Sequence, residues 1–254
     1  MNILLTNDDG IDSPGLTLLA AELREKTSHR VFVLAPDSNR SAISHGLSFI
    51  LNPLRLKQLG EDSWSCSGNP ADCVIAALNG VLPLRPDLVL SGINQGANLG
   101  LDIMYSGTAA GARQASFGGI PGIALSLSGR GPYNWDMAVG WIVENLETLY
   151  SCWRAGTMVN VNIPDGPAAP EGVHHTWPGP HSSFKDKLAI YTAPDGDRWC
   201  FLDTEHNTMD PKPGSDFYAI ARNHVSISVL FSYPVVQRDF CPEAPVSVAP
   251  ELQT

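Results

Sequence analysis

Short apolar runs alternate with amphipathic stretches over the first two thirds of the chain. The runs at 3–6 and 31–35 are almost continuous in apolar residues, which is typical of strands that are covered on both faces. Between them, Leu and Ala recur at helical spacing from Pro14 to about Lys26, and proline suits the first position of a helix. A strand, a helix and a second strand in this order predict a parallel pair of strands.

The same alternation continues beyond residue 67. The patterns predict further buried strands at 87–90, 121–127 and 158–163, and helices at 70–78, 107–115 and 135–149. Between residues 38 and 67 the pattern loosens into short alternating pieces, 47–51 and 64–66, which predict a hairpin or an edge extension. The sequence therefore predicts an α/β fold with a mostly parallel sheet flanked by helices.

The composition changes after Pro164, where Pro, Gly and His cluster as far as His181. Strands are predicted again only at 188–191, 199–202 and 225–230. We therefore predict an α/β catalytic core at 1–165 and a β-rich C-terminal extension at 166–254. The last residues, from Pro242, carry three prolines and no helical pattern, so we expect a flexible end or an arm that lies on a neighbouring subunit.

Acidic residues outnumber basic residues by 26 to 16, which gives a net charge of −10 at pH 7. Such a chain repels polyanions, so we expect no binding to a nucleic acid duplex or to an acidic membrane. No run approaches the roughly 18 apolar residues of a membrane span, and polar residues interrupt the first apolar run too early for a signal peptide. We therefore expect a cytoplasmic protein. An anionic substrate then needs a local device, such as a cation or a helix N-terminus.

Polar side chains gather where the predicted strands end. Asp8 and Asp9 follow the first strand, Ser41 comes shortly after the second, and Asn94 follows the third. The carboxyl ends of parallel strands meet at one edge of a sheet, where ligands bind in open α/β folds. Two carboxylates, an amide oxygen and a hydroxyl suit one exchangeable divalent cation, Mg²⁺ or Mn²⁺. A turn with a helix cap is the competing interpretation of the two acids, but the repulsion between them favours a cation.

The segment from Tyr105 to Thr108 leads into a helix of small residues. A helix start offers free N–H groups, and the small Gly107 lets a ligand approach them closely. Together with the hydroxyls of Ser106 and Thr108, these groups predict a phosphate-binding site, with Asn98 as a further donor. The alternative is an ordinary Ser or Thr cap. Walker A, the dinucleotide fingerprint and the G-x-S-x-G elbow are all missing from the sequence, which disfavours ATP-driven phosphotransfer, hydride transfer and serine hydrolase chemistry.

Five segments combine these candidate residues with glycine-rich turns in a fixed order: MNILLTNDDGIDSPG at 1–15, APDSNRSA at 35–42, GNPADCV at 68–74, SGINQGANLG at 91–100 and YSGT at 105–108. Together they resemble the SurE (survival protein E) family of metal-dependent nucleotidases. The resemblance implies a Rossmann-like core and an enzyme that hydrolyses nucleoside 5′- and 3′-monophosphates. It also implies that the positions of Asp8, Asp9, Ser41 and Asn94 hold the cation. A homodimer or homotetramer, formed partly by exchange of the C-terminal extension, is implied as well.

We expect Asp8 and Asp9 to be the catalytic residues and a cation-activated water molecule to attack phosphorus. Because both acids are needed to hold the cation, neither is free to attack in line, which argues against an aspartyl-phosphate intermediate. Asp9 is assigned to orient or deprotonate the water. Two alternatives stay open: a nucleoside N-ribohydrolase, which also clusters aspartates around a divalent cation, and a regulatory module that binds nucleotides without turnover.

Overall fold

The computed structural model describes residues 1–183, 187–203 and 210–235. The strands within these residues are β1 (Asn2–Thr6), β2 (Arg30–Pro36), β3 (Leu56–Gly60), β4 (Ser63–Cys66), β5 (Leu88–Gln95), β6 (Gly122–Ser128), β7 (Thr157–Pro164), β8 (Gly172–His175), β9 (Lys187–Thr192), β10 (Arg198–Asp203) and β11 (His224–Phe231). The helices are α1 (Pro14–Lys26), α2 (Pro70–Ala76), α3 (Gly107–Phe117), α4 (Trp135–Glu144), α5 (Leu146–Cys152) and α6 (Asp216–Ile220). A π-helical turn, Ala77–Val81, follows α2, and a 3-10 turn, Gly100–Met104, precedes α3.

Nine of these strands form one sheet in the order β3-β4-β2-β1-β5-β6-β7-β11-β8. The central pairs, from β2 through β1, β5 and β6 to β7, are all parallel, which confirms the prediction of a mostly parallel sheet flanked by helices. Alternate residues of β1 face different layers: Ile3 and Leu5 pack in one core cluster with α1 and α4, and Leu4 packs in another with α2. Both faces of the central strands are therefore buried, as their continuous apolar runs predict.

The hairpin predicted between residues 38 and 67 forms from β3 and β4 at the edge of the sheet. The prediction of a strand at 47–51 is wrong, because these residues lie in turns. The carbonyl oxygen of Ser48 accepts hydrogen bonds from the N–H groups of both Leu51 and Asn52. The segment therefore forms a turn and does not pair with a strand. The predicted second strand of the hairpin, 64–66, is confirmed by β4.

Two other elements differ in extent from their predicted bounds. The predicted helix 135–149 is divided into α4 and α5 at Asn145, whose side-chain amide and backbone N–H both donate to the carbonyl oxygen of Trp141. β5 continues to Gln95, where the sequence predicts a loop from Ile93. One extra residue of β5 between Ser91 and Asn94 forms a bulge against β6, and the strand continues beyond it.

The C-terminal strands fall into two groups. β11 pairs antiparallel with β7, and β8 pairs parallel with β11, so the main sheet continues across the predicted division at residue 165. β9 and β10 form a separate antiparallel hairpin. The predicted arm from Pro242 lies outside the described residues. No helix in the described part of the chain is long and apolar enough to cross a membrane.

Asp72 connects the segment after β2 to the start of α2. Its carboxylate is fully buried and accepts hydrogen bonds from the backbone N–H groups of Ser48, at 2.9 Å, and Asn69, at 2.8 Å. Asn69 is the N-cap of α2, so Asp72 stabilises the helix start and the preceding loop with one side chain.

We expect Asp72→Ala to lower the free energy of unfolding by about 2–3 kcal/mol, because two N–H groups lose their acceptor. Thermal unfolding should show a decrease of about 5–10 °C in Tm. The matched control is Asp136→Ala, which removes an exposed acid from the first turn of α4 and should change stability by less than about 0.5 kcal/mol. Equal effects of the two substitutions would contradict this role of Asp72.

Candidate active site

The turn after β1 is held in shape by a buried asparagine. The Asn7 side-chain amide donates to the Gly10 carbonyl oxygen and to the Ser13 hydroxyl, and the Asn7 side-chain oxygen accepts from the Gly10 N–H. Gly10 has a φ of +106°, a conformation that favours glycine. These contacts fix the backbone that presents Asp8 and Asp9 at the carboxyl end of β1.

The segment after β2 reaches this turn through a backbone contact. The Arg40 N–H donates to the carbonyl oxygen of Asp8 at 2.6 Å, so Ser41 is one residue from a direct contact with Asp8. Ser41 is exposed, and its own N–H donates to the Asn39 side chain at 2.8 Å. This bond is an Asx turn, which reverses the chain locally and uses the backbone of Ser41, not its hydroxyl.

The end of β5 reaches the same turn from the other side. The Gln95 N–H donates to the Asp9 carboxylate at 3.1 Å, and Gln95 directly follows Asn94. The Asn94 side-chain amide donates one hydrogen to the Gly96 carbonyl oxygen at 3.0 Å, which leaves the side-chain oxygen as an acceptor. The ends of β1, β2 and β5 thus bring an all-oxygen set of side chains to one edge of the sheet.

The N-terminus of α3 lies against Asp8. The Thr108 hydroxyl donates a short hydrogen bond to the Asp8 carboxylate, and a Cβ atom at Gly107 would lie only 2.8 Å from the Asp8 Cβ. Glycine is therefore required at 107 for this close approach. The Ser106 hydroxyl oxygen accepts from the Ala109 N–H at 3.0 Å and caps the helix, which leaves its hydrogen as a donor.

Asn98, the further donor predicted for the phosphate, is buried in the loop between β5 and α3. Its side-chain amide donates to the Ser126 hydroxyl at 2.8 Å, and a carboxamide nitrogen has a second hydrogen to donate. The Asn98 backbone forms hydrogen bonds with the side chains of two asparagines of β7, Asn160 and Asn162. Sequence reasoning missed these two residues, although two polar positions in the apolar run at 158–163 are a visible signal.

Two acids without a basic partner dominate the electrostatics of this edge. Burial raises the pKa of Asp8, against hydrogen bonds from Thr108 and Gly107 that lower it. Burial also raises the pKa of Asp9 to about 6, and the charge of Asp8 adds to this effect, whereas the Gln95 N–H opposes it. Within the described residues, neither acid forms an ion pair with Lys or Arg. A bound cation would relieve this repulsion.

The donor set also limits the kind of metal. No group of three or more His, Cys, Asp and Glu side chains that could hold a metal occurs among the described residues. Two carboxylates together with amide and hydroxyl oxygens suit a hard cation better than zinc or copper. The residues present therefore fit Mg²⁺ or Mn²⁺.

The fold and this edge define a class of Rossmann-like α/β protein in which the first of two adjacent acids, Asp8, faces the N-terminus of a helix. The chain belongs to the SurE family, since the family model described as Survival protein SurE matches residues 3–183. It is 40% identical to the 5′-nucleotidase SurE of Pelobacter propionicus, over 91% of this chain and 93% of that protein. The 5′-nucleotidase SurE of Stenotrophomonas maltophilia is 39% identical, over 90% of this chain and 88% of the relative.

A solved structure confirms the similarity of fold. The crystal structure of the SurE protein from Aquifex aeolicus superposes with a TM-score of 0.83 at 34% sequence identity. The match covers 94% of this chain and 97% of the Aquifex chain. The similarity therefore extends well beyond the residues at the carboxyl edge of the sheet.

The raised pKa of Asp9 predicts how stability depends on pH in a chelator. Because the folded state binds this proton more tightly than the unfolded state, the free energy of unfolding falls as pH rises from about 4 through about 6. Asp9→Asn should remove this penalty and raise Tm relative to the unaltered chain at pH 7.5, and by about half as much at pH 5. Solvent screens a half-buried carboxylate, so we expect about 1 kcal/mol, or ~2–4 °C. An equal difference in Tm at both pH values would contradict the assignment.

Proposed function

We propose that the chain hydrolyses nucleoside 5′- and 3′-monophosphates to a nucleoside and phosphate, using one Mg²⁺ or Mn²⁺ per subunit. The chain is a nucleotidase of the SurE family, as the names of its relatives indicate. The observation that carries the proposal is the close approach of the α3 N-terminus to Asp8. It supports a site in which one phosphate group contacts both a helix N-terminus and the cation beside it.

Asp8, Asp9, Ser41 and Asn94 would hold the cation. Support comes from two hydrogen bonds that join their segments at one edge of the sheet, from the Arg40 N–H to the Asp8 carbonyl oxygen and from the Gln95 N–H to the Asp9 carboxylate. When bound, the cation would neutralise charge on the phosphoryl oxygens and lower the pKa of water. The Thr108 hydroxyl orients the Asp8 carboxylate through its hydrogen bond. This contact couples the start of α3 to the proposed ligand set.

The other residues act on the phosphate and on the attacking water. The Ser106 hydroxyl and the second amide hydrogen of Asn98 would donate to the phosphoryl oxygens. The backbone N–H groups of Gly107 and Thr108, which already act on the Asp8 carboxylate, would divide their hydrogen bonds between that carboxylate and the phosphate. Asp9 is less buried than Asp8, and it would orient the water that attacks phosphorus and accept its proton. Water is then the nucleophile, and neither aspartate forms a bond to phosphorus.

Phosphate release with and without a chelator tests the proposal most directly. We expect release from nucleoside monophosphates to stop in excess EDTA and to return when Mg²⁺ or Mn²⁺ is restored, because the acids then regain their counter-ion. Full activity in the chelator would contradict the cation. Release of free base instead of phosphate would support the N-ribohydrolase, and binding without any product would support the regulatory module.

A substitution at Thr108 tests the connection between the two parts of the site. Thr108→Val keeps the shape of the side chain but removes the donor to Asp8, so we expect kcat/KM to fall about 10–100-fold by a similar factor for every nucleotide. Thr108→Ser keeps the hydroxyl and serves as the control. Mn²⁺ affinity, measured by calorimetry, should fall in the Val variant as well. A loss confined to one nucleotide would instead place Thr108 in base recognition.

The hairpin of β9 and β10 supports the proposed homodimer or homotetramer. Six of its large apolar side chains are each between 48% and 63% exposed: Leu188, Ile190, Tyr191, Trp199, Phe201 and Leu202. The register pairs Tyr191 with Trp199 on one face and Leu188 with Leu202 on the other. A two-stranded hairpin is marginally stable by itself, and apolar surface on both of its faces favours burial against another subunit.

We expect the double substitution Tyr191→Ser and Leu202→Ser to weaken self-association, because it removes apolar area from both faces. Light scattering after size-exclusion chromatography should show a shift from a dimer or tetramer towards the 27.3 kDa monomer. Leu84→Ser, at an exposed position outside the hairpin, is the control and should leave the mass unchanged. An unaltered chain that is already monomeric would contradict the proposed assembly.

A further inference from the structure

A row of buried polar side chains crosses the sheet beneath the loop between β5 and α3. Ser126, Asn162 and Ser226 are in register on the neighbouring strands β6, β7 and β11, and all three are fully buried. Asn160 lies on the same face of β7, two residues before Asn162, and is also fully buried. Burying a carboxamide is unfavourable unless it is hydrogen-bonded, so the partners of these asparagines indicate their role.

Both asparagines direct hydrogen bonds to the backbone of Asn98. The Asn162 side-chain oxygen accepts from the Asn98 N–H at 2.8 Å, and the Asn162 amide donates to the Asn98 carbonyl oxygen at 2.9 Å. The Asn160 amide donates to the same carbonyl oxygen at 3.0 Å. Together with the bond from the Asn98 side chain to Ser126, four hydrogen bonds hold this one loop residue on the sheet.

The position of Asn98 matters because the loop joins the two parts of the proposed site. Asn94 lies four residues before it, and α3 begins nine residues after it at Gly107. The Asn94 backbone is itself in register with Ser126, which accepts the Asn98 side chain. Through these direct contacts, the buried row connects the end of β5 to the part of the loop that leads to the proposed phosphate site.

We propose that Asn160 and Asn162 are positioning residues for phosphate-ester hydrolysis, which hold Asn98 so that its side chain reaches the phosphate at the N-terminus of α3. This inference rests on the proposed function. Without the hydrogen bonds from Asn160 and Asn162, the Asn98 side chain would still be present but displaced from the phosphate. A displacement of about 1 Å lowers a reaction rate about 100-fold.

Asn162→Leu is the most informative substitution, since it nearly preserves volume and removes both hydrogen bonds to the Asn98 backbone. We expect kcat for phosphate release from a nucleoside 5′-monophosphate to fall about 10–100-fold, with Mn²⁺ affinity changed less than about twofold. The control is Ser228→Ala, a fully buried position on β11 whose hydroxyl bonds to Thr176. A folded Asn162→Leu protein with unchanged kcat would overturn the proposal.

A double-mutant cycle distinguishes positioning from a general loss of stability. If Asn162 acts through the Asn98 side chain, Asn162→Leu should reduce kcat by less than about twofold in an Asn98→Ala background. Reductions that multiply in the double variant would overturn this route. If Asn162→Leu does not fold, Asn160→Leu removes only one of the hydrogen bonds and should give a smaller loss that is suppressed in the same way.

Hydrogen exchange gives a readout that does not depend on activity. Exchange of the peptide covering residues 96–105 should be faster in Asn162→Leu than in the unaltered protein and unchanged in Ser228→Ala. Unchanged exchange in Asn162→Leu would overturn the positioning role even if the enzyme is active. If the unaltered protein releases no phosphate while exchange at residues 96–105 is still faster in Asn162→Leu, that result would contradict only the proposed function.

Discussion

The contact between the N-terminus of α3 and the Asp8 carboxylate is the constraint on which the rest of the site depends. Burial makes the negative charge of Asp8 costly, and the Thr108 hydroxyl and the nearby helix amides offset only part of this cost. Any side chain at position 107 would separate the helix from the acid. The contact therefore places a carboxylate beside the positive end of a helix dipole, an arrangement that a cation and a phosphate group would stabilise together.

The parallel sheet explains how residues distant in sequence reach this contact. β1, β2 and β5 are neighbours, so the segments that follow them emerge at the same edge. The Arg40 N–H then donates to the Asp8 carbonyl oxygen, and the Gln95 N–H donates to the Asp9 carboxylate. These two hydrogen bonds hold the segments after β2 and β5 against the turn after β1. The proposed ligand set thus depends on strand order, and backbone hydrogen bonds hold its segments together.

Much of the fold could be predicted because buried parallel strands have continuous apolar runs. The strand at 31–35 and the helix from Pro14 to Lys26 are confirmed within a residue at each end. The turns at 47–51 could not be predicted, because alternation alone does not reveal that Asp72, more than twenty residues away, accepts the Ser48 N–H. The bulge in β5 was missed for the same reason, since it depends on the pairing with β6.

The candidate site was predictable only in its residue types and strand positions. The convergence of Asp8, Asp9 and the N-terminus of α3 required a correct order of strands, which the family resemblance supported. Asn160 and Asn162 carried a signal, two polar positions in an apolar strand, but their common partner, Asn98, lies more than sixty residues earlier in the chain. Such partnerships depend on how a loop lies on the sheet, and local sequence does not specify it.

If the cation and the phosphate group bind to one shared site, each strengthens the binding of the other. The most direct measurement is the dissociation constant of Mn²⁺, obtained from the electron paramagnetic resonance signal of the free ion, with and without inorganic phosphate. A shared site predicts that saturating phosphate tightens Mn²⁺ binding about tenfold or more, and that Mn²⁺ tightens phosphate binding by the same factor. Equal Mn²⁺ dissociation constants with and without phosphate, after correction for complexes formed in solution, would contradict it.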